Sequence, residues 1–141
     1  IFIDYAHTPD ALKNVLSNLS ERKKGRLIIV FGCGGDRDPS KRSLMTNEAL
    51  KYCNKIYLTS DNPRNENQKE IFKDMKRGIS DSKLTNTFEI GDRRKAINKA
   101  IDELRSGDIL IIAGKGHENY QIFKNKVIPF SDKSVVIDKL G

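Results

Sequence analysis

Five short apolar segments recur along the chain, and a cluster of glycine and polar residues directly follows each of them. The apolar residues run continuously rather than alternating with polar ones, which is typical of strands buried on both faces of a parallel sheet. The segments are residues 1–3, 27–31, 56–59, 88–90 and 109–113. No other feature of the sequence constrains the fold as strongly.

Segments with helical periodicity lie between the apolar runs. Thr8 is a typical N-cap residue, and Pro9 suits the first position of a helix. Strand alternating with helix predicts an α/β fold, Rossmann-like, with a mostly parallel sheet and helices on both faces. The apolar faces of four predicted helices are Leu12, Val15, Leu16 and Leu19; Leu44, Met45, Ala49 and Tyr52; Ile71, Phe72, Met75 and Ile79; and Ala96, Ile97, Ala100, Ile101 and Leu104.

The last part of the chain has a different pattern. Residues 120–123 and 126–130 flank a short polar turn, which predicts a C-terminal β-hairpin, and a final helix is expected to start near Ser131. With 141 residues, 37% of them apolar, the chain is long enough for one core, so we interpret residues 1–141 as a single domain. Because the sequence opens directly on a strand, we expect it to be a piece of a longer protein.

Cysteine usage and hydropathy indicate the setting of the protein. Cys33 and Cys53 are isolated and form no CxxC pair, so we expect no disulfide framework, no zinc site and a reducing, cytoplasmic environment. There is no run of 18 apolar residues, and we expect no membrane partner.

The charge balance favours anionic partners. The chain has 26 basic and 19 acidic residues, a net charge of +7, which favours phosphates, carboxylates, nucleic acid or a membrane surface. A solvated, lysine-rich surface explains the same numbers. A basic nucleotide- or nucleic-acid-binding module remains an alternative, but there is no aromatic-rich stacking strand, and the tightest basic clusters are only residues 22–24 and 93–95. We therefore expect no nucleic-acid partner.

The polar clusters after the strands predict a ligand site. Carboxyl ends of parallel strands meet at one edge of a sheet, and open α/β sheets bind ligands in the crevice there. Arg37 and Arg64 each offer a planar guanidinium that can hold a carboxylate through two parallel hydrogen bonds, and Glu118 suits an ammonium group. The sequence therefore predicts a site for a zwitterionic, amino-acid-like ligand, with a nucleotide as a further candidate.

Some of these polar residues have a structural explanation as well. Asp61 and Asn62 either close a turn before Pro63 or contact the ligand, in which case the Asn62 amide faces a carboxylate or an amine. His7 lies at the start of a predicted helix, where an anion such as a nucleotide phosphate is favoured. The glycines at 32, 34 and 35 permit close backbone approach, but they match neither a P-loop nor a GxGxxG fingerprint.

Four motifs are specific when taken together and in order: DYAHTPDAL, FGCGGDRDPSKR, TSDNPR and AGKGHENYQ. In this order and spacing they closely resemble the C-terminal domain of the Mur ligases, and among these the members that add meso-diaminopimelate in peptidoglycan synthesis. The resemblance covers essentially the whole chain. It implies the amino-acid-binding domain of an ATP-dependent amide-bond ligase, in which ATP phosphorylates the D-glutamyl carboxylate of UDP-MurNAc-L-Ala-D-Glu and the amine of the amino acid attacks the acyl phosphate.

The resemblance also implies roles for individual residues. Arg64 would hold the carboxylate at the far end of diaminopimelate, a group that lysine lacks, so a lysine-adding ligase is the alternative within the family. His7, with Asp4 and Asp36, would lie near ATP when the domain closes. The diaminopimelate-binding positions would be Arg37, Asp61, Asn62, Arg64, Gly114 and Glu118.

Parts that the family needs for catalysis have no counterpart in this sequence. The resemblance places the phosphate-binding loop, the Mg²⁺ ligands and the binding of ATP in a central domain, and the binding of the UDP moiety in an N-terminal domain. We therefore expect no catalytic residue and no metal site in this chain, no ATP or Mg²⁺ bound by it alone, and no activity in isolation. We also expect a monomer. Ser43 and Asn119 depart from the usual family residues, and neither is an implied ligand position.

Overall fold

A computed structural model describes all 141 residues and shows a five-stranded parallel sheet with helices on both faces, followed by a two-stranded antiparallel hairpin. The strands of the sheet lie in the order β1-β5-β2-β3-β4. The elements in chain order are β1 (Phe2–Asp4), α1 (Pro9–Arg22), β2 (Leu27–Phe31), α2 (Ser40–Tyr52), β3 (Lys55–Leu58), α3 (Gln68–Met75), a 3₁₀ turn (Asp81–Leu84), β4 (Thr87–Glu89), α4 (Arg93–Asp102), β5 (Ile109–Ala113), β6 (Tyr120–Phe123), β7 (Lys126–Pro129) and α5 (Asp132–Leu140).

The core lies on both faces of the central strands. Ile29 and Phe31 of β2 face α1, α2 and α3, whereas Ile28 and Val30 face α4 and α5. Every residue of β2 is fully buried, which is why its sequence is a continuous apolar run rather than an alternating one. The predicted fold class, including the C-terminal hairpin, is confirmed.

Side-chain caps begin most of the helices where the sequence indicates. The Thr8 hydroxyl accepts a hydrogen bond from Ala11 N before Pro9 starts α1. Asn67, Asp92 and Ser131 cap α3, α4 and α5 in the same way. The caps Thr8, Asp92 and Ser131 follow β1, β4 and β7 within four residues, whereas a longer loop separates β3 from Asn67.

Several predicted details are wrong. The helix expected to reach Ile79 ends at Met75, because Gly78 adopts a left-handed φ of 76° that stops it. Leu44, which the sequence places on the apolar face of α2, is 51% exposed. Leu104 lies beyond the end of α4, although it still packs against the core. The structure also places β1, β3 and β4 one residue away from their predicted positions.

Two further observations concern the whole chain. No helix of the structure is both long and apolar enough to cross a membrane. No group of three or more His, Cys, Asp or Glu side chains is arranged so that it could hold a metal ion.

Candidate functional site

The carboxyl ends of β1, β2, β3 and β5 open onto a crevice with a volume of about 550 Å³. The structure brings all six predicted ligand-binding residues, and His7, to the lining of this crevice. They come from loops after β1, β2, β3 and β5, which the parallel sheet places along one edge. These residues are His7, Arg37, Asp61, Asn62, Arg64, Gly114 and Glu118.

The loop after β3 is buried beneath the β6–β7 hairpin. Gln121 Nε2 donates to Ser60 Oγ at 3.1 Å and to the carbonyl of Asp61 at 2.7 Å. Arg64 N donates to the carbonyl of Ile122 at 3.0 Å, so the hairpin adds a short parallel bridge to the loop. This cover explains why Ser60, Asp61 and Asn62 are polar and yet almost completely buried.

A buried lysine lies at the centre of these polar groups. The side chain of Lys115 is fully buried, and its ammonium group donates to Asp61 Oδ1 at 3.1 Å, Asn62 Oδ1 at 3.1 Å and Glu118 Oε1 at 3.2 Å. The Tyr120 ring lies 5.6 Å from the same nitrogen. Lys115 was not among the predicted site residues, because a lysine between two glycines gives no signal of burial in the sequence.

The orientation of the Asn62 amide is fixed by two donors. Its Oδ1 accepts from Lys115 Nζ and from Ile122 N, each at 3.1 Å. An amide turned the other way would place its NH₂ group against both donors, so the assignment is unambiguous. The NH₂ group of Asn62 has no protein acceptor and is not sealed from solvent. Of the two roles that the sequence left open, the geometry favours a donor to a ligand carboxylate.

Two guanidinium groups supply positive charge to the crevice. Arg64 has a left-handed φ of 54°, and its Nη1 donates to the carbonyl of Gly35 at 2.9 Å. Its other N–H groups have no protein acceptor and remain available for a ligand. Arg37 is exposed at the rim, where its Nη1 donates to the carbonyl of Asp36 at 3.2 Å. Both arginines can therefore still bind a carboxylate.

Two carboxylates supply negative charge to the same crevice. Glu118 Oε1 accepts a hydrogen bond from Lys115 Nζ, and Glu118 Oε2 lies 3.5 Å from the Tyr5 hydroxyl. Asp61 Oδ2 has no protein donor and lies beside Gly114, whose added Cβ would lie 3.5 Å away. The φ of Gly114 is 108°, a value that few residues other than glycine adopt. The glycine thus keeps the backbone close to the free Asp61 oxygen.

The three residues expected near ATP differ in their positions. His7 is exposed at the rim of the crevice, with its Nδ1 2.9 Å from the Tyr5 carbonyl. Asp4 does not line the crevice, and its Oδ1 accepts from Ala6 N at 2.8 Å. Asp36 is also outside it, and its Oδ2 accepts from Asn65 Nδ2 at 3.1 Å. Only His7 therefore presents its side chain to this space.

Two buried arginines that support the site loops have no counterpart among the predicted site residues, and one of them, Arg42, lines the crevice. Arg42 binds Glu66 at 2.8 Å and Asp74 at 3.0 Å, and its Nη2 donates to the carbonyl of Gly34. The hydrogen bond from Arg42 lowers the pKa of Glu66 below its ordinary value. Arg42 thereby ties the loop after β2 to the loop after β3.

The second buried arginine supports the ends of β3 and β5. Arg93 pairs with Asp132 at 2.8 Å, and both side chains have an exposed fraction of 0%. Its other nitrogens donate to the carbonyls of Ser60 at 3.0 Å and Ala113 at 3.1 Å, directly before the site loops. In the sequence, Arg93 belongs to a basic cluster that resembles a solvated surface.

Cys33 is the one thiol that lines the crevice. Burial raises its pKa to about 12, so the thiol stays protonated at neutral pH. A protonated thiol is a poor nucleophile, and its closest polar contact is the sulfur of Met45 at 3.9 Å. Cys33 therefore acts as a packing residue rather than a reactive one.

Residues 1–116 match the family described as "Mur ligase, glutamate ligase domain". The chain belongs to this family. The resemblance inferred from the four motifs is thus confirmed at the level of the family. The match covers most of the chain, so the assignment does not depend on the four motifs alone.

Two bacterial relatives of about half-identical sequence share one name. The chain is 51% identical over its whole length to a protein of Caldanaerobacter subterraneus subsp. tengcongensis, and 52% identical to one of Aquifex aeolicus. Both are named UDP-N-acetylmuramoyl-L-alanyl-D-glutamate--2,6-diaminopimelate ligase. A solved structure of a ligase with this name covers 98% of the chain with a TM-score of 0.93 and 48% identity. The chain spans 29% of each of the two relatives and 28% of the solved chain.

Proposed function

We propose that this chain is the amino-acid-binding domain of an ATP-dependent ligase that adds meso-diaminopimelate to UDP-MurNAc-L-Ala-D-Glu in peptidoglycan synthesis. The observation that carries the proposal is the crevice, in which Arg64 and the Asn62 NH₂ group offer free donors beside the carboxylates of Asp61 and Glu118. Relatives of about half-identical sequence that are named diaminopimelate ligases support the choice of substrate.

Diaminopimelate has a carboxylate and an ammonium group at each end of a short carbon chain. The free N–H groups of Arg64 suit the carboxylate at the end that does not react, and the Asn62 amide adds a further donor. Asp61 Oδ2 and Glu118 suit the ammonium group of that end. Arg37, at the rim, is placed for a second carboxylate. Held in this way, the other amino group is left free to react.

The chemical step requires parts of the enzyme beyond this chain. ATP bound with Mg²⁺ supplies the phosphoryl group that activates the D-glutamyl carboxylate. The residues described above bind and orient the amino acid, and His7 at the rim is the residue best placed to contact the nucleotide. The Asp4 carboxylate accepts from Ala6 N in its own loop, and the Asp36 carboxylate accepts from Asn65 in the loop after β3, so both already have protein donors. We place the enzyme in the cytoplasm and expect it to be a monomer.

Selectivity against lysine follows from the same geometry. Lysine has no carboxylate at its side-chain end, so its binding would leave the Arg64 guanidinium desolvated without an acceptor. Hydrogen bonds to charged groups contribute roughly 1.5–3 kcal/mol each. Two such bonds would discriminate against lysine by about two to four orders of magnitude in kcat/KM.

The test is a comparison of Arg64→Ala with wild type in the full-length ligase, assayed with diaminopimelate and with L-lysine. Wild type should prefer diaminopimelate, and the variant should lose about two to four orders of magnitude in kcat/KM for diaminopimelate, which removes most of the preference. Arg22→Ala, at an exposed position at the end of α1, is the control. It also removes one positive charge, and it should leave kcat/KM for diaminopimelate unchanged. Equal use of lysine by wild type, or unchanged selectivity in Arg64→Ala, would contradict the proposal.

A further inference from the structure

We infer that Lys115 is the positioning residue that prepares this crevice for its ligand, by fixing the Asn62 amide as a donor and by holding the Asp61 and Glu118 carboxylates in place. The inference rests on the proposed function, because the ligand that these groups receive is the amino acid. Lys115 has an exposed fraction of 0%, so it acts through its three neighbours and does not touch the ligand.

The hydrogen-bonding capacity of Lys115 is used completely. An ammonium group has three N–H donors and no acceptor. The three donors of Lys115 reach three different side chains, at 3.1, 3.1 and 3.2 Å, and each of these side chains lines the crevice. The bonds join the loop after β3 to the loop after β5, although these loops are more than 50 residues apart in sequence.

The first consequence is the direction of the Asn62 amide. Both donors to its Oδ1, Lys115 Nζ and Ile122 N, are protein groups, so the amide cannot offer its oxygen to the ligand. Its NH₂ group is left facing the crevice, where it can donate to a ligand that carries a hydrogen-bond acceptor. Without the ammonium group, Ile122 N alone would hold the oxygen, and the amide would be freer to turn.

The second consequence concerns charge. Asp61 and Glu118 share one ammonium group, which leaves one negative charge in excess among the three side chains. That excess charge is suited to a single ligand ammonium group. Without Lys115 the two carboxylates would repel each other and would attract water or cations from solution, so the geometry that receives the ligand would be lost.

The test measures the KM of each of the three substrates in the full-length ligase carrying Lys115→Met, an unbranched side chain that is one atom shorter and has no charge. The KM for diaminopimelate should rise by about tenfold to a hundredfold, as expected for one charge-assisted hydrogen bond. The KM values for ATP and the UDP-linked dipeptide should stay unchanged. Lys133→Met, at an exposed position in α5, is the matched control and should behave like wild type.

A second variant covers the case in which Lys115→Met does not fold. Asn62→Asp keeps the shape of the side chain and still accepts from Lys115 and Ile122, so it should fold. It replaces the NH₂ donor by an oxygen, and the KM for diaminopimelate should rise at least about tenfold because that oxygen repels the ligand carboxylate. If Asn62→Asp binds diaminopimelate as well as wild type does, the assigned orientation is wrong and the inference fails.

The outcomes separate this inference from the proposed function. A wild-type enzyme that does not use diaminopimelate overturns the proposed function, and the role of Lys115 falls with it. A normal wild type with an unchanged KM for diaminopimelate in Lys115→Met overturns only the role of Lys115. A folded Lys115→Met enzyme that loses kcat alone, or in which all three KM values rise together, shows a purely structural lysine and also overturns it.

Discussion

Single residues hold the loops after β2 and β3 in contact. A Cβ added at Gly35 would lie 1.7 Å from the carbonyl oxygen of Pro63, so no side chain fits there without moving the backbone. Gly35 N also donates to the carbonyl of Asn62 at 2.8 Å. The glycine therefore allows the loop that carries Arg37 to lie directly against the loop that carries Arg64.

Gly35→Ala should lower the free energy of unfolding by about 2 kcal/mol or more, because the new methyl group must displace the Pro63 backbone. Under the proposed function it should also weaken binding of the amino-acid ligand, since both guanidinium groups shift. Gly91→Ala is the control, because a Cβ at that position meets nothing within 4 Å. Urea unfolding of the two variants checks the prediction, and equal stability would show that the loops are not packed as described.

At the residue scale, the sequence singles out side chains whose type alone suits a charged ligand. Arg37, Arg64 and Glu118 were recognised in this way, and the structure brings them into one crevice. Lys115 and Arg93 were not, because the burial of a charged side chain depends on acceptors that other parts of the chain provide. Sequence patterns mark the apolar core but carry no comparable signal for a buried, fully bonded cation.

At the scale of elements, the β6–β7 hairpin covers the loop after β3 and keeps it buried. Its contribution is largely polar: Gln121 satisfies Ser60 Oγ and the carbonyl of Asp61, and the backbone of Ile122 satisfies Asn62. The hairpin itself was predicted from its two apolar segments and polar turn. Its docking was not, since only Gln121 among its residues is fully withdrawn from solvent.

Gln121→Leu should destabilise the protein by about 1–3 kcal/mol, because it leaves the buried carbonyl of Asp61 without a donor. Gln68→Leu provides a sharp contrast. Both amide atoms of Gln68 are buried and have no hydrogen-bond partner, so its replacement should be neutral or stabilise by up to about 1 kcal/mol. Thermal unfolding distinguishes the two variants, and a similar loss for both would mean that the Gln121 hydrogen bonds contribute nothing specific.

At the scale of the whole molecule, the parallel sheet explains both the success and the limit of prediction from sequence. Continuous apolar runs followed by polar clusters indicate a parallel sheet whose loops share one edge, and this was enough to predict that the polar loops lie together. The sequence does not give the strand order, in which β5 lies between β1 and β2. That order brings Gly114 beside Asp61 and Gly32, a contact that depends on the whole sheet.

The opposite edge of the sheet contains an ion pair that makes the stability of the whole fold depend on pH. Arg26, just before β2, donates from Nη2 to Asp108, just before β5, at 2.8 Å, and the Asp108 side chain is 3% exposed. The hydrogen bond from Arg26, helped by backbone N–H groups of Arg26 and Arg105, lowers the pKa of Asp108 from its ordinary value of 3.8 to about 2. The folded state therefore binds a proton at this carboxylate less readily than the unfolded chain does.

This difference stabilises the fold by about 2 kcal/mol above pH 4, and the stabilisation is lost as the pH falls from about 4 to about 2. Asp108→Asn should be less stable than wild type by a similar amount at pH 7, and the gap should close over the same acidic range. Asp138→Asn, at an exposed carboxylate 3.7 Å from Arg94, should show no such gap. Urea unfolding of the three proteins between pH 7 and pH 2 measures the gap directly. A gap that stays constant with pH would show that Asp108 stabilises the sheet through neutral hydrogen bonds alone, because only a difference in proton binding between the folded and unfolded states produces the pH dependence.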